Sequence, residues 1–424
     1  MRAAAEEWGG ARRLSILVHH NGHVPNKGDV DVSDYEDDIE KTSAALAATM
    51  PRVHRVLFDR GSVVPVACEL FGRLAALYGD RLQVLHSWCP IAVPPGYVFR
   101  ELRGALIWHG SKGRYRHPCV DPAKLVSLTL SELPLSHSWA PFSADDASEE
   151  VEFPSLRVLG VTYSGTATRG GASAETRHSD GHPWRLNFPR LRKLNVLCTQ
   201  DACPLLEYAV LPGRMEEVTI KAATLVLPRI SGMSLPAARR LKIAITSAPD
   251  DDNDPAVLAA VGRILKNSPK SKYAWLEVSS SELPVLPEHI AFTPLTALEI
   301  WAPTSVDTML QLIRRLPRLT TLALLSWTLG DIQEDISVPE PGADCLVEPL
   351  STRLATMVLQ IDHNAEPLSM FVLAVKYLLL SIPTLARLRS TWIPKEPVME
   401  VVEAYSEQYP HLRSVVLKLG YSRS

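Results

Sequence analysis

Apolar residues along this chain fall mostly in short bursts of strict alternation rather than in long helical stripes. Leu194-Asn-Val196, Val218-Thr-Ile220, Leu241-Lys-Ile243, Leu276-Glu-Val278 and Leu298-Glu-Ile300 share one form. Each is a strand pattern with a single buried face. A fuller phrase leads into several of them: Pro154-Ser-Leu156-Arg-Val-Leu159, Pro189-Arg-Leu191-Arg-Lys-Leu194, Pro317-Arg-Leu319-Thr-Thr-Leu322 and Pro410-His-Leu412-Arg-Ser-Val415. Proline fixes φ and removes a backbone donor, so it suits the corner where the chain turns into the strand.

With the second leucine as anchor, the phrase recurs at Leu128, Leu159, Leu194, Val218, Leu241, Leu276, Leu298, Leu322, Met357, Leu388 and Val415. The spacings are 31, 35, 24, 23, 35, 22, 24, 35, 31 and 27 residues. They form two groups, and this implies two kinds of return segment: helices in the long repeats, loops or tight turns in the short ones. Asp254-Pro255 opens the run 256–265, Thr304 and Asp307 precede Met309–Ile313, and Pro397 opens Val398–Tyr405, each with helix-start chemistry. Before residue 121 the pattern is looser. Strands are expected at 14–18, 53–58, 82–85 and 99–107, with helices at 34–49 and 65–78.

A unit of one strand plus one return cannot bury its own apolar faces, so neighbours must stack. The expected fold is therefore α/β: a solenoid over 1–424, with degenerate repeats over 1–120 and clearer ones over 121–424. Parallel strands would line its concave face, with helices or loops on the convex face. Polar stretches at 136–150, 164–187, 247–254 and 330–345 read as insertions from a solenoid edge, and the Gly/Ser/Thr-rich part as disordered.

The phrase Leu-x-x-Leu-x-Leu resembles the leucine-rich repeat, here without the regular asparagine or cysteine after the strand. Cys198 approaches that position in one repeat. The uneven lengths and proline-led strands look like F-box/leucine-rich-repeat proteins, particularly the large sets found in fungi. That resemblance implies a surface for a ubiquitylation substrate and, through an F-box helix bundle, docking on a Skp1-type adaptor. No F-box is found: Leu286-Pro-Glu-His-Ile290 mimics its opening, but Ala-Phe-Thr-Pro follows where a helix should continue. The adaptor role thus implies an F-box upstream of this sequence.

A net charge of −3 gives no field to attract nucleic acid or an anionic membrane. The six cysteines lack paired CxxC spacing and read as reduced thiols. The N-terminus has no apolar signal core, and the longest apolar stretch, 370–380, is broken by Lys376 and reads as a convex-side helix. A cytoplasmic or nuclear location is expected.

Three local patterns carry possible chemistry. Asp29, Asp31, Ser33, Asp37 and Glu40 match the oxygen positions of a calcium loop, but Asp34 stands where such a loop needs glycine. A helix start capped by Ser33, with Glu36 completing a capping box, suits the segment better. His19, His20 and His23 read as a loop, since adjacent strand residues face opposite ways. The run His109-Gly-Ser-Lys-Gly-Arg-Tyr-Arg-His117 lacks phosphate-loop spacing. No catalytic motif is present, and no cofactor or metal is expected.

The outward face of the strands is more informative. Alternation places Lys193, Asn195, Glu217, Thr219, Lys221, Arg240, Lys242, Trp275, Glu277, Glu299, Trp301, Arg387 and Arg389 there, with Trp327 and Trp392 close by. The face would run from basic, through an acidic zone with tryptophans, back to basic. Exposed Trp and Arg are favoured at protein-binding hot spots. The expected function is non-catalytic binding of a partner protein. The alternatives are substrate recognition for a Skp1–cullin–F-box ligase, or an enzyme or enzyme regulator with a loop-built site.

Overall fold

The computed structural model describes residues 2–8, 11–18, 36–49, 53–58, 65–79, 81–87, 98–108, 119–133, 150–163, 185–198, 205, 209–223, 235, 237–246, 261–278, 294–328, 338–342, 347–361, 368–391 and 393–420. Contacts divide the chain into two compact units, Met1–Met215 and Glu216–Ser424.

In the first unit the main strands are β1 (Arg2–Trp8), β2 (Ala11–Val18), β3 (Val53–Phe58), β4 (Val84–Ser87), β6 (Gly104–Trp108), β8 (Ser127–Leu133), β10 (Val158–Tyr163) and β12 (Lys193–Cys198). They lie side by side in that order, and from β2 onward every pairing is parallel. β1 departs from the expected parallel arrangement. It pairs antiparallel with β2, and only Gly9 and Gly10 separate the paired Trp8 and Ala11. A link of two residues can only reverse a chain, whereas a parallel return needs a dozen or more. Helices α1 (Glu36–Thr49) and α2 (Pro65–Leu77) link the early strands, close to the expected ranges. The single strand expected at 99–107 is two, β5 (Val98–Phe99) and β6.

Short strands also form on the return side of this unit. β5 pairs with β7 (Cys119–Val120), and β11 (Arg185–Asn187) lies between β9 (Glu150–Glu152) and β13 (Ala209–Val210). These continue into Phe153 and Phe188, whose buried rings stack at 5.1 Å. The polar segments expected to be insertions lie mostly outside the described residues. Two of their bounds ran too far, since Glu150 begins β9 and 185–187 is β11; residues 338–342 hold a turn with Gly342 at φ 83.

In the second unit β14 (Glu217–Ala223), β15 (Arg240–Thr246), β16 (Tyr273–Val278), β17 (Ala297–Ser305), β18 (Thr321–Thr328), β19 (Thr356–Ile361), β20 (Arg387–Thr391) and β21 (Val416–Gly420) pair in chain order, all parallel. Returns include a helical stretch at 261–266, α3 (Val306–Arg315), α4 (Leu368–Ser381) and α5 (Lys395–Tyr405). The short repeat from Leu298 to Leu322 thus holds a helix, contrary to the spacing rule. β17 runs without a loop into α3, capped by Ser305, whose hydroxyl accepts from the Thr308 N–H at 3.2 Å. No helix among the described residues is long and apolar enough to cross a membrane.

Register turns the repeated phrase into columns. Val56, Leu85, Ala105, Leu128, Leu159 and Leu194 are paired in series and at most 3% exposed. In the second unit the column is Val218, Leu241, Ala274, Leu298, Leu322, Met357 and Leu388, at most 2% exposed. Beside it run Ile220, Ile243, Leu276, Ile300, Leu324 and Leu359, equally buried. Two anchors therefore move by two residues: Ala274 replaces Leu276, and Leu417, paired with Leu388, replaces Val415. Small buried Ser271 and Ala274 stand where other repeats carry leucine, so the apolar pattern alone slides forward. A slip of two keeps every side chain on its face.

The proline has a defined place. In Phe153-Pro-Ser-Leu156, Phe188-Pro-Arg-Leu191, Leu316-Pro-Arg-Leu319, Ile382-Pro-Thr-Leu385 and Tyr409-Pro-His-Leu412, the fourth N–H donates to the first carbonyl at 3.0–3.3 Å. Proline is second in this turn, where its φ is already correct, and both end residues are buried. Where proline is missing, the Ser351 hydroxyl closes the turn by accepting from the Leu354 N–H at 3.2 Å.

Each strand then enters through a shared acceptor. The carbonyls of Arg103, Val126, Arg157, Glu216, Arg239, Lys272, Thr296, Thr320 and Ala355 each accept two N–H groups from the next repeat. Thr296 and Thr320 add their hydroxyls to the preceding carbonyl at 3.0 and 2.8 Å. These bonds lie at the strand entrance, away from the post-strand corner that asparagine serves in the resembled repeat.

Truncating a column residue leaves a void between two neighbours. Leu322→Ala is expected to destabilise by about 3 kcal/mol, and Arg318→Ala, on the exposed turn, by less than about 0.5 kcal/mol, as measured by urea unfolding.

Candidate interaction face

With one face of every strand committed to the core, the alternate residues stand on the other. In the second unit, register sets them in rows across the sheet. One row contains Glu217, Arg240, Tyr273, Ala297, Thr321, Thr356, Arg387 and Val416. The next contains Thr219, Lys242, Trp275, Glu299, Ala323, Val358, Arg389 and Lys418. A third begins Lys221, Ala244, Glu277 and Trp301.

Two tryptophans and two carboxylates thus form a checkerboard on β16 and β17. Trp275 lies opposite Glu299, and Glu277 opposite Trp301. The indole rings are 6.2 Å apart and tilted by 58°. Trp301 is 48% exposed, which is unusual for so large an apolar side chain in the middle of a strand.

Glu299 organises the patch. Its Oε1 accepts from Trp301 Nε1 at 2.8 Å, and its Oε2 accepts from the Tyr273 hydroxyl at 3.0 Å. Both aromatic groups are therefore held by one carboxylate. Burial, then the Glu299 charge and the hydrogen bond to it, push the Tyr273 phenol up to about 12. Around them Arg240 reaches Glu217 at 3.3 Å, Lys221 lies 3.9 Å from Glu277, and the Lys242 ammonium sits 5.9 Å from the Trp275 ring centre. These are partly exposed pairs, each contributing at most about 1 kcal/mol. They fix side-chain directions more than they stabilise the fold.

The structure therefore brings together Glu217, Lys221, Arg240, Lys242, Trp275, Glu277, Glu299 and Trp301. The carboxylates and tryptophans of β16 and β17 stand beside the cations of β14 and β15. Arg387 and Arg389 lie apart from it on β20. Lys193 and Asn195 belong to the first unit, both exposed on β12, with Asn195 opposite Gly160. A Cβ at Gly160 would approach the Thr129 hydroxyl to 3.1 Å, so that part of the first unit's face is closely packed.

Tyr273 was missed as a member of the patch. Its signal was present, since it precedes Trp275 by two residues and so shares its face. Trp327 lies in the core, 0% exposed, its ring meeting Phe371 edge-on at 5.0 Å. Register irregularities in β17 and β18 shift it to the inner side. Trp392, His19, His20, His23 and the run 109–117 lie outside the described residues. So do 29–35 of the acidic segment; Glu36, Asp37 and Asp38 form the first turn of α1, where carboxylates suit the helix dipole. Among the described residues no cluster of three or more His, Cys, Asp or Glu could hold a metal ion.

No protein-family profile matches the chain. No curated protein matches it at a significant level.

The Tyr273 shift has a defined sign. Its stabilising contribution is complete below pH 10, the ordinary phenol value, and is lost as pH rises towards about 12. Tyr273→Phe is expected to remove a late-titrating component from the absorbance titration of tyrosinate. Glu299→Gln should move that component to lower pH, and an unchanged late component would contradict the contact.

Proposed function

We propose that the chain is a leucine-rich-repeat-type solenoid that holds a partner protein against the outward face of its strands and performs no chemistry itself. The in-register columns of Leu-x-x-Leu-x-Leu support the architectural part. In such a solenoid the outward strand face is the concave one, and the tryptophans of β16 and β17 are its anchors.

One observation carries the functional part: Trp301 is half exposed yet held in place by its bond to Glu299. A large apolar surface left in water is unfavourable by about 25 cal/mol per Å². Fixing it in one orientation in advance lowers the entropy lost on binding. Trp275 beside it, with Lys242 over its ring, widens the same platform. Aromatic anchors ringed by polar groups are the usual make-up of a binding hot spot.

The test replaces Trp301 with a photo-crosslinking phenylalanine analogue, with the exposed helix residue Leu77 as control position. A discrete adduct from position 301 alone is expected, its partner identified by mass spectrometry. With that partner in hand, Trp301→Ala should weaken binding by about 2 kcal/mol, or about thirtyfold, without changing the circular dichroism spectrum. Absence of any adduct at 301, or unchanged affinity in the variant, would remove this face from consideration.

A further inference from the structure

The cations on the outward face of the second unit fall into two groups. On β14 and β15 each one has a partner on the sheet: Arg240 at Glu217, Lys221 at Glu277, Lys242 over Trp275. On β20 and β21 Arg387, Arg389 and Lys418 are all exposed, and among the described residues none of them makes an ion pair.

Their placement sharpens the contrast. Arg389 and Lys418 lie directly opposite one another on adjacent strands, and Arg387 is two residues from Arg389 on the same face. Adjacent strands are about 4.8 Å apart and alternate residues about 6.7 Å apart along a strand. Like charges set directly opposite destabilise a sheet. The intervening strands offer no relief: their outward residues in the same rows are Thr321, Ala323, Thr356 and Val358. The nearest carboxylate in those rows, Glu299 on β17, has both oxygens occupied by Tyr273 and Trp301. Apolar surface lies among the cations, at half-buried Val358 and at Val416, which is 51% exposed.

We infer that this end of the face receives an acidic segment of the partner protein, its carboxylates meeting Arg387, Arg389 and Lys418 and an apolar side chain resting on Ala323 and Val358. The inference rests on the protein-binding role proposed above and names the chemistry of what is bound. Arginine pairs with carboxylates through two parallel hydrogen bonds, and such a contact turns the Arg389–Lys418 repulsion into attraction. A nucleic-acid backbone is disfavoured. Among the described residues only three unpaired cations are grouped here, uncharged residues separate them from the rest of the face, and the whole chain carries a charge of −3.

The experiment measures fluorescence anisotropy of a labelled peptide of about ten residues, Glu/Asp-rich with two leucines, on the full chain. A Gln/Asn-for-acid analogue, a single-stranded oligonucleotide of equal length and inorganic phosphate are run in parallel. The acidic peptide is expected to bind at least about tenfold more tightly than its neutral analogue and to weaken as salt shortens the screening length. The combined variant Arg387→Glu, Arg389→Glu, Lys418→Glu should abolish that preference. These side chains are solvent-exposed, so an unchanged circular dichroism spectrum is expected; Arg387→Gln with Arg389→Gln provides a milder second variant with a smaller loss. Equal binding of the two peptides, no binding of either, tighter binding of the oligonucleotide, full displacement by phosphate, or unchanged binding in both variants would overturn the inference. Retention of the position-301 adduct in the charge-reversed protein would sink this assignment alone, whereas its absence from the unaltered protein would sink the protein-binding role itself.

Discussion

In-register parallel pairing is the constraint on which everything else in this protein depends. Each strand pairs with a neighbour one repeat away, so equivalent positions of successive repeats become physical neighbours. Leu241 touches the repeat of Val218 on one side and of Ala274 on the other. A single strand-and-return unit has no core of its own. Burial of one leucine contributes about 1.5–3 kcal/mol, and only because the adjoining repeats supply its surroundings. The turn ending on the first leucine and the shared carbonyl acceptor set where each strand begins, and therefore which residues meet.

The same pairing makes the opposite face. A period of two commits half of each strand to the core and leaves the other half free of packing duty. Evolution can vary that half without disturbing the columns. Here it carries two different chemistries within one unit. On β14 to β17 the charges are matched and the tryptophans and Tyr273 are tied to Glu299. On β20 and β21 three cations stand together. The aromatic patch of β16 and β17 and the basic group of β20 and β21 share this unit's outward face, with β18 and β19 between them. Backbone register, more than any individual side-chain contact, brings those features onto one surface.

Much of this was legible in the residues. Alternation identified the strands and their buried faces; β3 coincides with its expected range, and α1 and α2 lie within a few residues of theirs. The outward positions of Trp275, Glu277, Glu299 and Trp301 followed from parity alone, which survives even a two-residue error in register. That is why the misplacement of Leu276 and Val415 as anchors left the assigned faces intact. Less legible were features that depend on contacts with distant residues. The short strands β9, β11 and β13 are too brief to announce themselves, although Val151-Glu-Phe153 and Leu186-Asn-Phe188 share one pattern. Trp327 was placed near the face because register irregularities in β17 and β18 leave no mark in the sequence.

By itself the sequence determined periodicity: how often a strand returns, which of its faces is apolar, and where proline turns the chain. Those are local properties, written in the spacing of residues a few positions apart. Tertiary structure alone decided the partners: that Ala274, not Leu276, continues the column, that β1 runs antiparallel, and that Glu299 holds both Tyr273 and Trp301. Only it left Arg387, Arg389 and Lys418 without a carboxylate among the described residues while pairing the cations of β14 and β15. Pairing is a relation between residues tens of positions apart, fixed by backbone hydrogen bonds and packing, and no local pattern encodes it.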